Sequence, residues 1–382
     1  WALVTGDFDG DGRCDVAVTS LTWNNQNRGT VFVYRGLPPV DINPGGLSDL
    51  PATWYEPVGA NVNNYRLGRR LLAADFNGDG LSDLVMSARG ADTEEFSDIG
   101  KAYVVHGGPF PDEVSSTPTD PETADIVLQG ARPWDNFPTA LTVWDSDEMG
   151  ASLGASAVYA DGLNGWDEGQ ILVYDLRPGA AEAAAEDPDT DWPRVVARGT
   201  ESRFQLGFGL ANLGDQNGDG IDEFVTSSNG RGTEFEHVGR PYVIQSAQPP
   251  EVVEGEPPPE EPWVPYTLHP LTLPWVVAGT EFGTSVALPG DVNGDGFSDA
   301  IVTAPRATHP APVIFGGAAF FYAGNAEGIP ADGELIPAFP GHTNWDLMRG
   351  ASGIGDFNGD GHDDFALLLG NDERANPLPE GF

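Results

Sequence analysis

Hydrophobic positions in this chain come in short runs rich in β-formers, and five of these runs begin on the last acidic residue of a polar loop. The runs are DVAVTS from Asp15, DLVMSA from Asp83, EFVTSS from Glu223, DAIVTA from Asp299 and DFALLL from Asp364. Their length and their β-branched content predict strands. A second set opens on glycine: GTVFVYRG from Gly29, GKAYVVHGG from Gly100, GQILVYDL from Gly169, GRPYVIQS from Gly239 and GGAAFFYAG from Gly316. A fourth, less regular strand is expected in ATWYEPV, ADIVLQG, PRVVARG, PWVVAGT and ELIPAFPG, and a first strand before each loop, as in FGTSVALPGD from Phe282. No stretch carries a sustained 3.6-residue apolar stripe, and the one short helical segment expected is AAEAAAED from Ala180.

The polar loops share the form D-x-[DN]-x-D-G-x-x-[DE]. Their first aspartates are Asp7, Asp75, Asp215, Asp291 and Asp356, separated by 68, 140, 76 and 65 residues. A fixed period marks a repeat architecture. The double-length gap predicts a further copy near its midpoint, where WDSDEMGASLG from Trp144 keeps Asp145, Asp147 and Gly150 in register. Met149 and Leu153 replace its fifth and ninth positions, so that copy is expected to hold no metal. Six repeats are visible, with boundaries near 1–60, 61–131, 132–200, 201–279, 280–343 and 344–382, the last one lacking its third and fourth strands. Four antiparallel strands per repeat predict an all-β fold, a β-propeller of four-stranded blades forming a single domain over 1–382.

Side-chain oxygens at positions 1, 3, 5 and 9 around a turn-permitting glycine make a cage for a hard cation, most simply Ca²⁺. The candidate ligands are Asp7, Asp9, Asp11 and Asp15; Asp75, Asn77, Asp79 and Asp83; Asp215, Asn217, Asp219 and Glu223; Asp291, Asn293, Asp295 and Asp299; and Asp356, Asn358, Asp360 and Asp364. Position 7, occupied by Arg13, Leu81, Ile221, Phe297 and His362, offers its backbone carbonyl. An EF-hand would need a glutamate at position 12 and flanking helices, whereas Val18, Met86, Thr226, Val302 and Leu367 stand there inside predicted strands. About five Ca²⁺ sites are therefore expected, with a structural role. Clustered carboxylates repel one another until a cation joins them, so each ion would pin the first strand to the second.

The fifth repeat, FGTSVALPGDVNGDGFSDAIVTAP, resembles the FG-GAP repeat of integrin α-subunit propellers and their bacterial relatives. Phe282 and Gly283 match the FG; Thr303, Ala304 and Pro305 match the GAP; and the cation loop lies between them. Leu67 and Gly68, Leu206 and Gly207, and Ser87, Ala88 and Arg89 stand at the same positions elsewhere. Rings of that family usually have seven blades, so the resemblance implies a piece of a longer chain. It also implies that the cation loops share one face, while the links from strand two to three and from blade to blade make the opposite face.

On that opposite face Trp23, Trp134, Trp166 and Arg231 are the candidate partner-binding residues, aromatic anchors among polar neighbours. Tyr65, Phe204 and Trp345 lie two residues before the FG position and are expected to pack between blades.

Formal charge is −41, with 59 acidic and 18 basic residues, Lys101 being the sole lysine. Such acidity repels nucleic acid and anionic membranes. Cys14 is the single cysteine, expected to pack beside the first loop, and excludes an intramolecular disulfide. Location rests on calcium instead, since loops of this kind suit the millimolar ion found outside cells. The function expected is therefore a non-catalytic, calcium-binding module at the cell surface or in the extracellular space, for adhesion or protein recognition, with no membrane insertion. The alternatives are a carbohydrate-binding propeller and the propeller domain of a polysaccharide-active enzyme. No catalytic set is identified: Gly150, Ser152 and Gly154 match G-x-S-x-G but lie in the degenerate loop, and His106, His237, His269, His309, His342 and His362 are scattered. The Pro/Glu-rich segment Gln248–Pro270 reads as a solvated insertion whose deletion leaves the neighbouring strands intact.

Overall fold

The structure is a computed structural model that describes residues 2–20, 27–36, 52–58, 64–110, 117–145, 151–163, 165–180, 193–215, 221–228, 239–246, 266–271, 281–305, 307, 317–325, 328–330, 334–335 and 346–371. Trp23, Arg231, Asp147, Met149, Asn217, Asp219, Trp345 and nearly all of the expected helix after Ala180 lie outside these residues.

Each of the first five repeats forms one four-stranded sheet with its strands in chain order. These are β1 (Leu3–Gly6), β2 (Asp15–Ser20), β3 (Thr30–Tyr34) and β4 (Ala52–Tyr55), then β5 (Leu67–Ala74), β6 (Asp83–Ala88), β7 (Lys101–Val105) and β8 (Ile126–Gln129). The third sheet holds β9 (Leu141–Trp144), β10 (Ser152–Ala157), β11 (Gln170–Tyr174) and β12 (Arg194–Arg198). The fourth holds β13 (Leu206–Gly214), β14 (Glu223–Ser228), β15 (Arg240–Ser246) and β16 (Tyr266–Pro270), and the fifth β17 (Val286–Gly290), β18 (Asp299–Ala304), β19 (Ala318–Tyr322) and β20 (Glu334–Leu335). The sixth repeat contributes the pair β21 (Asp346–Gly355) and β22 (Asp364–Asn371). The chain is thus all-β, and the expected second and third strands fall where the hydrophobic runs place them.

By density of contacts the chain divides into two compact units. One comprises Trp1–Val143, Met149–Asp161 and Leu172–Arg194, and the other Trp144–Glu148, Gly162–Ile171 and Val195–Phe382. In the first unit, alternate residues of β6 face opposite ways. Leu84, Met86 and Ala88 join Ala17, Val31 and Val33 of the first repeat in one core, whereas Val85 joins Leu153, Ala155 and Tyr174 of the third repeat in another. The second unit repeats the plan: Val302 and Phe320 pack with Val225 and Val243, while Ile301 and Ala319 pack with Met348. Within each unit, therefore, successive sheets stack face to face. This explains why β6 and β18, each packed on both faces, are buried at all six positions and show no polar alternation.

Glycine leads the third strand because the chain comes too close for any side chain. A Cβ on Gly29 would meet the Leu67 carbonyl oxygen at 2.1 Å, one on Gly100 that of Phe137 at 1.8 Å, and one on Gly239 that of Phe282 at 1.9 Å. The backbone there is left-handed, with φ of 79°, 77° and 37°.

The fourth strand of the fourth repeat corrects the sequence reading. Tyr266–Pro270, the end of the supposed insertion, pairs with β15, Ser246 opposite Tyr266, whereas PWVVAGT lies outside the described residues. Tyr266 is selected because it is buried edge-on against Trp144, ring centroids 5.8 Å apart. Deleting through Pro270 would remove this strand. Replacing only residues 247–265 with Asn-Gly, which suits a two-residue hairpin, is expected to leave the melting temperature unchanged or slightly higher. The same replacement carried through Pro270 is expected to lower it, and thermal unfolding of the two variants checks this.

Candidate functional site

The acidic loops join strand one to strand two in a shared register. The residue before position 1 pairs with position 9 in every case: Gly6 with Asp15, Ala74 with Asp83, Gly214 with Glu223, Gly290 with Asp299 and Gly355 with Asp364. Within the loop, position 1 organises the turn. Asp7 accepts hydrogen bonds from the Gly10 and Gly12 amides at 2.9 and 3.0 Å. Asp75 accepts from Gly78 and Gly80, Asp291 from Gly294 and Gly296, and Asp356 from Gly359 and Gly361. Positions 3 and 5 each accept the amide two residues on, as with Asn77 and Asp79.

Position 9 does more than the spacing foretold. The Asp15 carboxylate accepts the Phe8 amide at 2.9 Å on one oxygen and the Gly36 amide at 2.7 Å on the other. Asp83 does the same with Phe76 and Gly107, and Asp299 with Val292 and Gly324. Each carboxylate thus ties its loop to the exit of the third strand. A glycine is needed at that exit, since a Cβ on Gly324 would approach the Ser298 carbonyl oxygen to 2.2 Å. Asp15, Asp83 and Asp299 are fully buried, and burial raises their pKa despite these hydrogen bonds.

Successive loops are also joined. Ser82 donates its amide to the Asp7 carbonyl, Asp222 to that of Asp145 and Asp363 to that of Asp291, at 2.9, 3.2 and 3.0 Å. The carboxylates of Asp222 and Asp363 reciprocate by accepting the amides of Asp145 and Asp291. Position 8, which the motif leaves open, is therefore the link between repeats, and Asp145 of the degenerate loop serves that link.

The first loop tests the fit to a cation. One carboxylate oxygen each from Asp7, Asp9 and Asp15 lies within 4.8 Å of the others, compatible with a shared ion, because oxygens at 2.3–2.6 Å from Ca²⁺ are at most about 5 Å apart. Asp11 is instead paired with Arg13 at 3.2 Å, and Asp9 carries a second partner, Arg35, at 2.8 Å. Loops two, five and six share the same internal bonds, with Asn77, Asn293 and Asn358 donating to Asp79, Asp295 and Asp360. In the fourth loop Asp215, Ile221 and Glu223 are described, with Glu223 fully buried. Cys14 is exposed rather than packed, its thiol donating to the Asp15 carbonyl at 3.7 Å.

Two family descriptions match this chain: an FG-GAP-like repeat over residues 7–86 and an FG-GAP repeat over residues 282–322. Integrin alpha-PS2 of Drosophila melanogaster is 26% identical over 255 residues, covering 65% of this chain and 16% of that protein. The chain thus carries FG-GAP repeats and is similar to integrin α-subunits. Integrin alpha-5 of Xenopus laevis is 25% identical over 56% of the chain and 20% of its own length. Phosphatidylinositol-glycan-specific phospholipase D of Rattus norvegicus is 25% identical over 63% of the chain and 29% of its own length. The FG-GAP chain thus spans less than a third of the length of these relatives.

At the strand ends opposite the cation loops, the FG-GAP chain sets its inter-repeat links beside the strand-two-to-three links of the preceding repeat. Trp134 donates its amide to the Asp98 carbonyl, and Arg203 to that of Trp166. Both tryptophan side chains face solvent, 67% and 72% exposed. Tyr65 and Phe204 are buried as packing residues: Phe204 meets Tyr242, and Tyr65 stacks on Tyr103 while donating to Glu122 at 2.5 Å. Lys101 spends its charge on the same Glu122 at 2.7 Å. Ser152 and Gly154 lie within β10 and Ser152 is buried there, so the serine does not sit on a strand-to-helix elbow; Gly150 lies outside the described residues. Among the described residues, no helix is long and apolar enough to cross a membrane.

Proposed function

We propose that this chain is a calcium-stabilised β-propeller segment that acts, without catalysis of its own, as an extracellular or cell-surface module for adhesion or protein recognition. The observation that carries the cation reading is the convergence of Asp7, Asp9 and Asp15 within 4.8 Å, on a loop whose hydrogen-bond plan recurs in the second, fifth and sixth repeats. A hard divalent ion would be held by positions 1, 3, 5 and 9 and would supply charge neutralisation where the two half-buried carboxylates of Asp7 and Asp9 meet the buried one of Asp15. Face-to-face stacking of successive sheets within each compact unit supports the propeller. The similarity to integrin α-subunits supports recognition and an extracellular setting, and the exposed Trp134 and Trp166, each at strand ends opposite an acidic loop of its own repeat, supply anchors for a protein or glycan partner. The acidity of the surface speaks against nucleic acid.

Thermal unfolding in calcium and in chelator tests this reading, and its pH dependence carries a sign. Asp15, Asp83 and Asp299 have raised pKa values when folded. In chelator their contribution is fully present below the unfolded carboxylate value, about 3.9, and is lost as pH rises through the folded values. Calcium, by favouring the ionised form, is expected to abolish that loss. Equal melts with and without the ion at pH 7 would overturn the proposal.

A further inference from the structure

The second repeat carries four arginines at positions where the third, fourth and fifth repeats carry none. Leu67 of β5 pairs with Ala88 of β6, so the next residues outward, Arg66 and Arg89, stand opposite each other at the end away from the cation loop. The register then slips between Leu67 and Leu71, and the resulting bulge presents Arg69 and Arg70 at the surface, with Arg70 Nε donating to the Thr139 carbonyl at 3.2 Å and its remaining guanidinium nitrogens left for a ligand. The Arg70 amide is pinned by the Ser87 hydroxyl at 2.8 Å. The same pin recurs at Ala140 on Ser156, Gly209 on Ser227 and Ser285 on Thr303, which aligns the repeats residue by residue. Where the second repeat has Arg66, the third, fourth and fifth have Asn136, Gln205 and Glu281. Where it has Arg69 and Arg70, they have Thr139 and Ala140, Phe208 and Gly209, and Thr284 and Ser285. Arg89 corresponds to Val158, Asn229 and Pro305.

Like charges opposed across strands destabilise a sheet, and this chain has acids to spare, yet the cluster is left unneutralised. Among the described residues the ion pairs of basic side chains involve Arg13, Arg35, Lys101, Arg132 and Arg177, and none of these four. Arg89 Nε is buried without a hydrogen bond, and burial followed by the charges of Arg69 and Arg66 pushes the Arg89 pKa down to about 10. Asp98 is the acid that feels Arg66 and Arg89, which leaves an excess of positive charge that one carboxylate would not balance. A long polyanion would have to continue over a chain whose net charge is −41.

We propose that Arg66, Arg69, Arg70 and Arg89 form a binding site for a compact tetrahedral oxyanion, a sulfate or phosphate ester group, at the end of β5 and β6 opposite the cation loop. Guanidinium forks match such oxygens in pairs. The site extends the recognition reading by naming the chemistry it would meet, but it stands on β5 and β6 and not on the cation loops, so it survives if those loops bind nothing.

The test is calorimetric titration of the chain with sodium sulfate against a sodium chloride control at matched ionic strength, repeated with phenyl sulfate and phenyl phosphate. The variant is R66N/R69T, which carries the third repeat's own residues at both positions, places Asn where the backbone is left-handed as it is at Asn136, leaves the Arg70 bond to Thr139 intact, and is expected to keep the wild-type melting temperature. Saturable binding of about one anion per chain, weakened at least tenfold in the variant, supports the site, and the tighter of the two esters identifies its source. Sulfate binding no stronger than chloride, or equal affinity in a variant that melts like the wild type, overturns it.

Discussion

Replacing Gly100 with alanine is expected to destabilise the chain by at least about 3 kcal/mol, enough to consume a large part of the stability of an ordinary domain. Two separate causes add. The φ of 77° costs an L-residue about 1–2 kcal/mol by itself. The new Cβ would then lie 1.8 Å from the Phe137 carbonyl oxygen, with the Phe137 carbonyl carbon and amide nitrogen also within 3.3 Å. These are backbone atoms and cannot swing aside. The second strain is absent at Gly108, where a Cβ meets nothing within 4 Å and φ is not left-handed. Gly108→Ala is therefore the matched control, expected within about 0.5 kcal/mol of wild type. Urea or thermal unfolding of the two variants checks the pair. Equal stability would mean that the second and third repeats do not approach each other as described.

Asp83→Ala is expected to cost about 2–5 kcal/mol whether or not calcium is present, because two buried amides lose their acceptor. Phe76 donates to Asp83 at 2.8 Å and Gly107 at 2.9 Å, and the residue is fully buried. Asp83→Asn separates this structural role from the ionic one. It retains one acceptor oxygen, turns an amide toward a donor and removes a charge from the proposed ligand set. Its stability in chelator is expected to fall less than that of Asp83→Ala. The increment gained on adding calcium is expected to shrink relative to wild type, since one site of the set is impaired. Melting curves of the three proteins in calcium and in chelator read both quantities. An undiminished calcium increment in Asp83→Asn would remove position 9 from the ligands.

Much of this architecture was legible in the sequence because its signals are local and repeated. The acidic loop both starts the second strand and fixes its register, so finding Asp83 or Asp299 finds the strand. The leading glycine marks the third strand because backbone must pass there. The fourth strand gave no such signal. PWVVAGT has the stronger β-propensity, yet Tyr266–Pro270 takes the place beside β15, because packing on Trp144 selects it and propensity says nothing of which run is docked. Position 8 was overlooked for a related reason. Ser82, Asp222 and Asp363 do not share one side chain, since the bond common to all three is made by the backbone amide. The arginine cluster went unseen because Arg66 and Arg89 are far apart in sequence and meet only through the pairing of Leu67 with Ala88. Tyr65 and Phe204 are buried, as their place two residues before the FG position implies, while Trp134 and Trp166, on links between strands, are exposed.

The central claim is that the acidic loops are cation sites that hold the repeats together, and calorimetric titration of the chelator-treated chain with calcium tests it most directly. The account predicts about five ions bound per chain, one for each complete ligand set, with a matching rise in melting temperature on the same sample. No saturable heat and an unchanged melt would contradict it, leaving the loops as turns held by their own hydrogen bonds.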